Sequence, residues 1–377
     1  MNKLWCFFVL CLVVISPYAP AAAEEEQIEP LAIGSPAPDF ELPGVDDMTY
    51  VLDDFADAKI LAIIFTCNHC PTAQGYEDRI KRMVSEYTPK GVRFVAISPN
   101  DPKSVRLDEL GYTDVSDSLE DMKIRFKHQK FNFPYLYDGD SQEISKKYGP
   151  TATPHVFLFD QERKLRYRGR IDDNERDESK VSSHDLRNAL NAMLEGKPVP
   201  NEVTKPFGCS IKWSYKRDSV KDYFAKVDAE EVKVEPIDAQ GIQQLIANNS
   251  ENYRLINVWA TWCGPCAAEF PDLVTINRMY RKRPFEFITI SADDPDQGDA
   301  VLKFLKNEHA SNVNYHYKSN DKDALVEAVD PEWQANLPYT ILVKPGGGII
   351  YRHAGIIDPL ELKQEIVKHI GRTYASR

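Results

Sequence analysis

Two Cys-x-x-Cys pairs, each placed directly after an apolar run of strand length, constrain the fold of this chain more than any other feature. The first pair follows residues 60–65, the second follows residues 254–259, and the cysteines concerned are Cys67, Cys70, Cys263 and Cys266. Later in each half a proline, Pro154 or Pro338, precedes a second apolar strand and a hairpin. The repeated order of strand, CxxC, helix and proline-strand predicts two similar α/β units.

The chain has 377 residues, which is a comfortable length for two domains. Each half orders its elements as βα, βα, hairpin and helix, so each is expected to form a central mixed sheet flanked by helices. In the first half we expect the helix after the CxxC to run from about residue 72 to 87, and Ser183 to cap the closing helix. The expected segments are a leader (1–23), a first domain (30–196), a linker (197–231) and a second domain (232–377).

The amino terminus has the features of a secretory signal peptide. Lys3 precedes an apolar run over residues 4–15, and the stretch closes on three alanines that end at Ala23. The run is shorter than the roughly 20 residues that cross a bilayer, so cleavage after Ala23 is favoured over a retained anchor. We therefore expect export, to the periplasm.

Charge and motifs exclude several classes of function. The formal net charge is -12 and becomes -13 without Lys3, which argues against a nucleic-acid partner. The glycines at 346–348 lie in a predicted hairpin turn rather than in a phosphate-binding loop. No nucleotide or flavin cofactor is implied, and redox-active disulfides are expected to be the only redox groups.

The cysteines favour redox chemistry over structural crosslinking. Cys6 and Cys11 lie in the expected leader, which leaves five of the seven cysteines, four of them in the two pairs. Two intervening residues close too short a loop to stabilise a fold much. A thiolate at a helix N-terminus is stabilised by free N-H groups and the helix dipole. We therefore expect the first cysteine of each pair to attack and the second to resolve the mixed disulfide.

The second unit carries the sequence VWATWCGPC over residues 258–266. This segment, with Pro265 between the cysteines, resembles the thioredoxin active site, and Asn257, Glu269 and Pro271 resemble the TlpA/ResA type of exported thioredoxin over roughly residues 232–372. The resemblance implies that Pro338 is a cis-proline whose backbone pairs with a substrate peptide. It also makes Glu269 the candidate proton carrier; the alternative for Glu269 is an ordinary solvated helix residue.

The first unit resembles the peroxiredoxin-like AhpC/TSA branch of the redoxins. The segments that carry the resemblance are residues 34–40 (GSPAPDF), 67–71 (CNHCP), 133–138 (FPYLYD), 148–149 (YG), 153–154 (TP), 167–173 (YRGRIDD) and 208–213 (GCSIKW). It implies that Pro154 is the cis-proline equivalent. The peroxidase pattern is incomplete, because Thr66 directly adjoins Cys67 and Ala152 stands where relatives often have cysteine. Peroxide reduction at Cys67 is therefore the second hypothesis.

Two further residues of the first unit carry expectations. His69, beside the thiolate, is expected to stabilise the reduced form and make this pair the more oxidising of the two. Cys209 has three interpretations: a buried structural thiol, an extra resolving cysteine, or a surface site for a partner.

The leading hypothesis is an exported thiol-disulfide oxidoreductase that exchanges disulfides with extracytoplasmic proteins. The expected partners are substrate proteins with disulfides or thiols and a membrane or periplasmic thiol donor, with peroxide as a further option. An internal relay from Cys263/Cys266 to Cys67/Cys70 is a corollary. The alternatives are a thiol peroxidase recharged by the second domain, a copper- or metal-binding chaperone, and a structural adaptor, although no metal site is predicted.

Overall fold

The computed structural model describes residues 28–374, so the leader expected at residues 1–23 lies outside the described residues. Within the described part, no helix is both long and apolar enough to span a bilayer.

The first unit is built on a five-stranded mixed sheet. The unit as a whole contains the strands β1 (Glu41–Pro43), β2 (Thr49–Val51), β3 (Ile60–Phe65), β4 (Val92–Ser98), β5 (Tyr135–Tyr137), β6 (His155–Phe159) and β7 (Leu165–Gly169), of which the last five form the sheet. Its helices are α1 (Pro71–Tyr87), α2 (Leu119–Gln129), α3 (Glu143–Tyr148) and α4 (Asp185–Leu194). The sheet order is β5-β4-β3-β6-β7, and β1 and β2 form a separate hairpin. Strands β3, β4 and β5 are parallel, whereas β6 and β7 are antiparallel to their neighbours.

Strand β3 lies at the centre of this unit and is buried on both faces. Ile60, Ala62 and Ile64 pack on the face covered by α1 and α4, and the alternate residues Leu61 and Ile63 pack on the opposite face. This alternation follows from the two-residue period of a strand, and burial on both faces explains the continuous apolar run. The sheet therefore holds the end of β3, and the cysteines that follow it, in a rigid position.

The second unit repeats the plan with six strands. Its strands are β8 (Glu235–Ile237), β9 (Tyr253–Trp259), β10 (Phe285–Ser291), β11 (Val313–Tyr317), β12 (Tyr339–Val343) and β13 (Ile349–Ala354). Its helices are α6 (Ala239–Ala247), α7 (Gly264–Tyr280), α8 (Gly298–Asn307), α9 (Lys322–Val329) and α10 (Pro359–Ile370). The order is β13-β12-β9-β10-β11-β8, again with an antiparallel hairpin beside the central strand. Both units are mixed α/β folds with a central sheet flanked by helices, as the sequence predicts.

The segment expected to be a linker is folded against both units. It contains helix α5 (Arg217–Asp228). The Thr204 amide donates to the carbonyl of Arg168, a residue of β7, at 3.0 Å. At the other end of the segment, Asp228 forms an ion pair with Arg278 of α7. Residues 197–231 are therefore not a free tether.

The two units share a packed interface at the C-terminal end of α7. The Tyr280 hydroxyl donates to the Thr113 carbonyl at 2.7 Å, and Arg283 donates to the Gly111 carbonyl at 2.6 Å. Val105 and Leu110 of the first unit belong to an apolar cluster of the second unit. Breaking the contact would expose these apolar side chains to water.

One expected helix cap is wrong. Helix α4 begins at Asp185 and its N-cap is His184, without a side-chain capping bond. The Ser183 hydroxyl instead donates to the Asp185 carboxylate at 2.9 Å. That carboxylate also pairs with Arg170, which fixes the start of the helix without a serine cap.

Candidate functional site

In the second unit the CxxC lies where β9 gives way to α7. Cys263 is the N-cap of α7, and its sulfur accepts a hydrogen bond from the Cys266 amide at 3.2 Å. Pro265 lies in the first turn, where a missing N-H costs no helical hydrogen bond. The two cysteines form a disulfide, and the Leu337–Pro338 bond is cis, as the resemblance predicts.

Glu269 is a buried residue of α7, three residues after Cys266. Its carboxylate accepts hydrogen bonds from the Asn257 side-chain amide at 2.8 Å and from the Ile357 amide at 2.9 Å. Burial raises the pKa of Glu269 above its usual value, although both hydrogen bonds oppose the rise. The alternative of a solvated helix residue is therefore wrong. The i, i+3 spacing places Glu269 on the same face of α7 as Cys266.

An apolar surface adjoins the second site. Trp262, next to Cys263, has 71% of its surface exposed, which is unusual for a tryptophan. It lines a cavity of about 180 Å³ together with Trp333 and Leu337, the residue that precedes Pro338. This surface can accept an apolar side chain of a bound polypeptide.

In the first unit the helix begins at Pro71, one residue before the expected start at about residue 72, and Cys70 rather than Cys67 is the N-cap. The Cys70 sulfur accepts a hydrogen bond from the Ala73 amide at 3.5 Å. Proline favours the first helical position and disfavours a helical conformation in the residue before it, so Pro71 sets this boundary. Cys67, which the sequence places where the strand gives way to the helix, therefore lies three residues before the N-cap.

A buried polar network holds the two residues between these cysteines. The Asp117 carboxylate accepts hydrogen bonds from the backbone amides of Asn68 (2.9 Å) and His69 (3.1 Å) and from the side chain of Asn100 (2.8 Å). The same carboxylate pairs with His69 Nδ1 at 2.5 Å. Burial alone would lower the pKa of His69, but the attraction of Asp117 outweighs it and raises that pKa.

Cys209 belongs to the first site. Its backbone amide donates to the Cys70 sulfur at 3.3 Å, and its side chain packs against the Cys67/Cys70 pair. The Thr153–Pro154 bond is cis, as the resemblance predicts, and Thr153 pairs with Cys209 in an antiparallel bridge. The side chain of Cys209 is only partly buried, so the interpretation as a fully buried structural thiol is wrong.

The three sulfurs differ in their preference for the thiolate. Burial raises the pKa of Cys70, but hydrogen bonds from the Cys209 and Cys67 thiols and the charge of His69 reverse the effect and bring it well below the usual value. Burial and the neighbouring Cys70 raise the pKa of Cys67. In its protonated form Cys70 donates to the Thr153 carbonyl at 3.2 Å. The N-cap position and these pKa shifts favour the thiolate at Cys70, whereas the sequence led us to expect it at the first cysteine, Cys67.

The surroundings of the first pair do not complete a peroxidase site. Among residues 28–374, no arginine donates a hydrogen bond to the sulfur of Cys67 or Cys70; the neighbours of Cys67 include the Thr153 hydroxyl, at 3.2 Å. Cys67, His69 and Asp117 do bring three possible metal-ligand atoms within 4.8 Å of one another. A metal would have to compete with the His69–Asp117 pair for two of those ligands.

The first unit contacts α7 at the end opposite the second CxxC. Cys263 is at the N-terminus of α7, whereas the first unit contacts its C-terminus through Tyr280. A helix of 17 residues is about 25 Å long, so this contact lies about 25 Å from Cys263.

Sequence reasoning missed Asp117, Asn100 and Thr153. Asp117 is 48 residues from its partner His69, and only the tertiary fold brings the two together. The helix start at Pro71 did have a local signal, because the Cys-Pro dipeptide is typical of a helix beginning at the proline.

Comparison with known proteins identifies both units. Residues 33–168 match the AhpC/TSA family and residues 231–365 match the redoxin family. The chain is 26% identical over 144 residues to the thiol-disulfide oxidoreductase ResA of Oceanobacillus iheyensis, a match that covers 38% of this chain and 65% of that protein. It is 34% identical over 103 residues to a thiol:disulfide interchange protein DsbE homolog of Paracoccus denitrificans, covering 27% and 50%.

Among solved structures, an uncharacterized conserved protein from Geobacillus kaustophilus is 38% identical, with 48% of this chain and 93% of that chain covered and a TM-score of 0.44. The chain spans half to just under two thirds of the length of the two curated relatives named above.

Proposed function

We propose that this chain, a tandem of an AhpC/TSA-family domain and a redoxin-family domain, is an exported thiol-disulfide oxidoreductase with two dithiol centres, Cys67/Cys70 and Cys263/Cys266. Its substrates are polypeptides that carry disulfides or thiols, and it exchanges electrons with them without a further cofactor. The curated relatives named above are a thiol-disulfide oxidoreductase and a thiol:disulfide interchange protein, which supports this activity.

One observation carries the proposal: each unit places a cysteine sulfur at the N-cap of the helix after its central strand. Cys70 and Cys263 both hold this position, and a cis-proline bond is present in each unit. Free amides at the helix start stabilise the thiolate, which is both the nucleophile and the leaving group of disulfide exchange. The exposed Trp262 and its cavity supply an apolar surface for a bound polypeptide at the second site.

Reduction of a peptide disulfide by the full chain tests this function. We expect wild type to reduce the peptide, Cys263→Ser to lose most of the activity, and the exposed control Thr275→Ala to retain it. Thr275 lies on α7 and bonds only to the Pro271 carbonyl through its hydroxyl. Full activity in a chain that lacks both CxxC pairs would contradict the proposal.

An internal relay would have to bring the first pair to Cys263, which lies about 25 Å along α7 from the contact at Tyr280. We therefore propose that electrons pass between the pairs of two different chains. This transfer would follow second-order kinetics in protein concentration.

Peroxide reduction is the second candidate, favoured by the AhpC/TSA match. Thiol loss after mixing the reduced chain with hydrogen peroxide distinguishes it. Rapid loss in wild type and Cys263→Ser, abolished in Cys67→Ser, would establish a peroxidase recharged by the second domain. Slow loss in all three leaves disulfide exchange as the function.

A further inference from the structure

Residues Gly208–Ser210, here called the Cys209 segment, occupy the side of the first site where a polypeptide substrate would pair. Thr153, next to the cis-proline Pro154, forms an antiparallel bridge with Cys209, and the Thr153 amide donates to the Cys209 carbonyl at 2.9 Å. Pairing of a backbone with an exposed edge is how extended peptides are held. The chain's own segment thus takes the place of a bound strand and presents a cysteine to the pair.

The fit of this segment depends on Gly208. A Cβ atom there would lie 1.9 Å from the Thr153 carbonyl oxygen, and the φ angle of +146° is one that other residues rarely adopt. Only glycine therefore allows the segment to approach the cis-proline loop so closely.

Lys212, two residues after the Cys209 segment, fixes the chain where it leaves the segment. Its amide donates to the Asn100 side chain at 2.9 Å, its carbonyl accepts from Gln142 at 2.9 Å, and its ammonium group pairs with Glu109 at 2.5 Å. Asn100 also bonds to Asp117, which holds the two residues between Cys67 and Cys70. The segment and the CxxC are therefore parts of one buried polar network.

The three cysteines of the site differ in how much of each is exposed to solvent. Cys67 is 3% exposed and Cys70 is fully buried, whereas Cys209 is partly open to solvent. A partner polypeptide can thus reach Cys209 without displacing the segment. The Cys209 amide donates to the Cys70 sulfur at 3.3 Å and the Cys209 side chain packs against the pair, so the thiols of Cys209 and Cys70 are already neighbours.

We propose that Cys209 is the entry thiol of the first site, which exchanges with the disulfide of a partner polypeptide and passes that disulfide inward to Cys67 and Cys70. This inference rests on the proposed function of the first unit. In this scheme the Cys209 segment takes the place of a bound substrate strand, and the partner contacts a cysteine that lies outside the CxxC.

The steps balance as three disulfide exchanges. Cys209 passes its proton to the neighbouring Cys70 thiolate and attacks one sulfur of the partner disulfide, which breaks that bond and releases the first partner sulfur as a thiolate that takes a proton from water. Cys70 then attacks the Cys209 sulfur and forms the Cys70–Cys209 disulfide, and the second partner sulfur takes the proton of Cys70 and leaves as a thiol. Finally Cys67 attacks the Cys70 sulfur, and Cys209 leaves and takes the proton. Two electrons from Cys67 and Cys70 have reduced one disulfide to two thiols.

The test uses the full chain with Cys6, Cys11, Cys263 and Cys266 changed to serine, so that three thiols remain, and glutathione disulfide as the probe. Samples are quenched with acid, alkylated and mapped by mass spectrometry. We expect Cys67→Ser to accumulate the Cys70–Cys209 disulfide and Cys70→Ser to stop at a glutathione adduct on Cys209. We expect Cys209→Ser to form the Cys67–Cys70 disulfide at least tenfold more slowly, with an unchanged equilibrium position in a redox buffer.

A positional control is the double change Cys209→Ser with Ser210→Cys, which moves the thiol by one residue along the segment and should not restore the rate. Formation of the Cys67–Cys70 disulfide at the wild-type rate in Cys209→Ser would overturn the entry role and leave the proposed function intact. Absence of that disulfide in every variant, at every ratio of the redox buffer, would overturn both.

Discussion

Cys70 and Cys263 hold the same structural position, the N-cap of the helix that follows the central strand, although Cys70 is the second cysteine of its pair and Cys263 is the first. The helix of the first unit starts four residues after Cys67, at Pro71, whereas that of the second starts immediately after Cys263. The two units thus share a fold and a motif but present opposite cysteines of the motif to the helix dipole.

This difference predicts which sulfur is the thiolate of the first unit. In the reduced chain with Cys263 and Cys266 changed to serine, thiolate absorbance in the ultraviolet should show one group that ionises well below the ordinary value of 9.0. The low transition should disappear in Cys70→Ser, because the N-cap sulfur is lost, and should persist in Cys67→Ser. Its persistence in Cys70→Ser and loss in Cys67→Ser would restore the expectation from sequence.

The pair of His69 and Asp117 predicts a pH-dependent stability. The folded pKa of Asp117 is lowered, so its contribution is present above its unfolded value and is lost as the pH falls through the folded pKa. The folded pKa of His69 is raised, so its contribution is present below 6.5 and is lost as the pH rises through the folded pKa. The pair should therefore stabilise the fold most between these limits.

Changing Asp117→Asn should lower the free energy of unfolding near pH 6 by about 3 to 5 kcal/mol, since it leaves a buried imidazole without its partner. Urea unfolding measured from pH 4 to 9 tests this. The control Asp78→Asn removes an exposed partner of Lys81 and should change stability by less than about 1 kcal/mol. Equal effects of the two changes at every pH would argue against the buried pair.

Glu269 predicts a pH dependence of turnover at the second site. As a base, its carboxylate takes the proton of Cys266 when that thiol attacks a mixed disulfide, so the rate should rise with pH through a pKa raised above 4.5. Glu269→Gln should slow this step by about 10²-fold. In Glu269→Gln the rate of this step should also no longer rise with pH. Thr275→Ala, a change on the same helix that removes no charge, should leave the profile unaltered; an unaltered profile in Glu269→Gln would remove Glu269 from proton transfer.

The first unit contacts α7 at the end opposite Cys263, and this arrangement predicts bimolecular transfer between the two pairs. A reduced chain lacking Cys67 and Cys70 should pass electrons to an oxidised chain lacking Cys263 and Cys266, at a rate proportional to the concentration of either. In wild type, transfer between the pairs should depend on dilution in the same way. A rate independent of dilution in wild type would mean that the interface at Tyr280 opens and the two pairs meet within one chain.

The sequence predicts the central strands because their apolar runs are continuous. The expected strand at residues 60–65 matches β3, and the one at residues 254–259 matches β9 to within one residue. The sequence does not predict the short or polar strands β8 and β11. Strand β8 has three residues and includes a proline, and β11 mixes polar with aromatic residues. Their strand conformation depends on pairing with neighbours rather than on local pattern.

The chemistry of the first site was only partly predictable. The motifs identify Cys67, Cys70 and the cis-proline, but the contact between Cys70 and Cys209 spans 139 residues, and no periodicity carries that information. The same holds for Asp117, the buried partner of His69, which is 48 residues away along the chain. Pairings between distant segments require the fold itself.

A redox titration of the full chain tests the central claim most directly. The chain is equilibrated with glutathione buffers over a range of potentials, quenched with acid and alkylated, and the oxidised fraction of each pair is read by mass spectrometry. We predict two separate two-electron transitions, one for Cys67/Cys70 and one for Cys263/Cys266. The first should lie at the higher potential because His69 stabilises the reduced pair, with about 30 mV for each 1.4 kcal/mol of stabilisation. A first transition below the second would contradict the role of His69, and a pair that never changes state across the range would contradict the account of two redox centres.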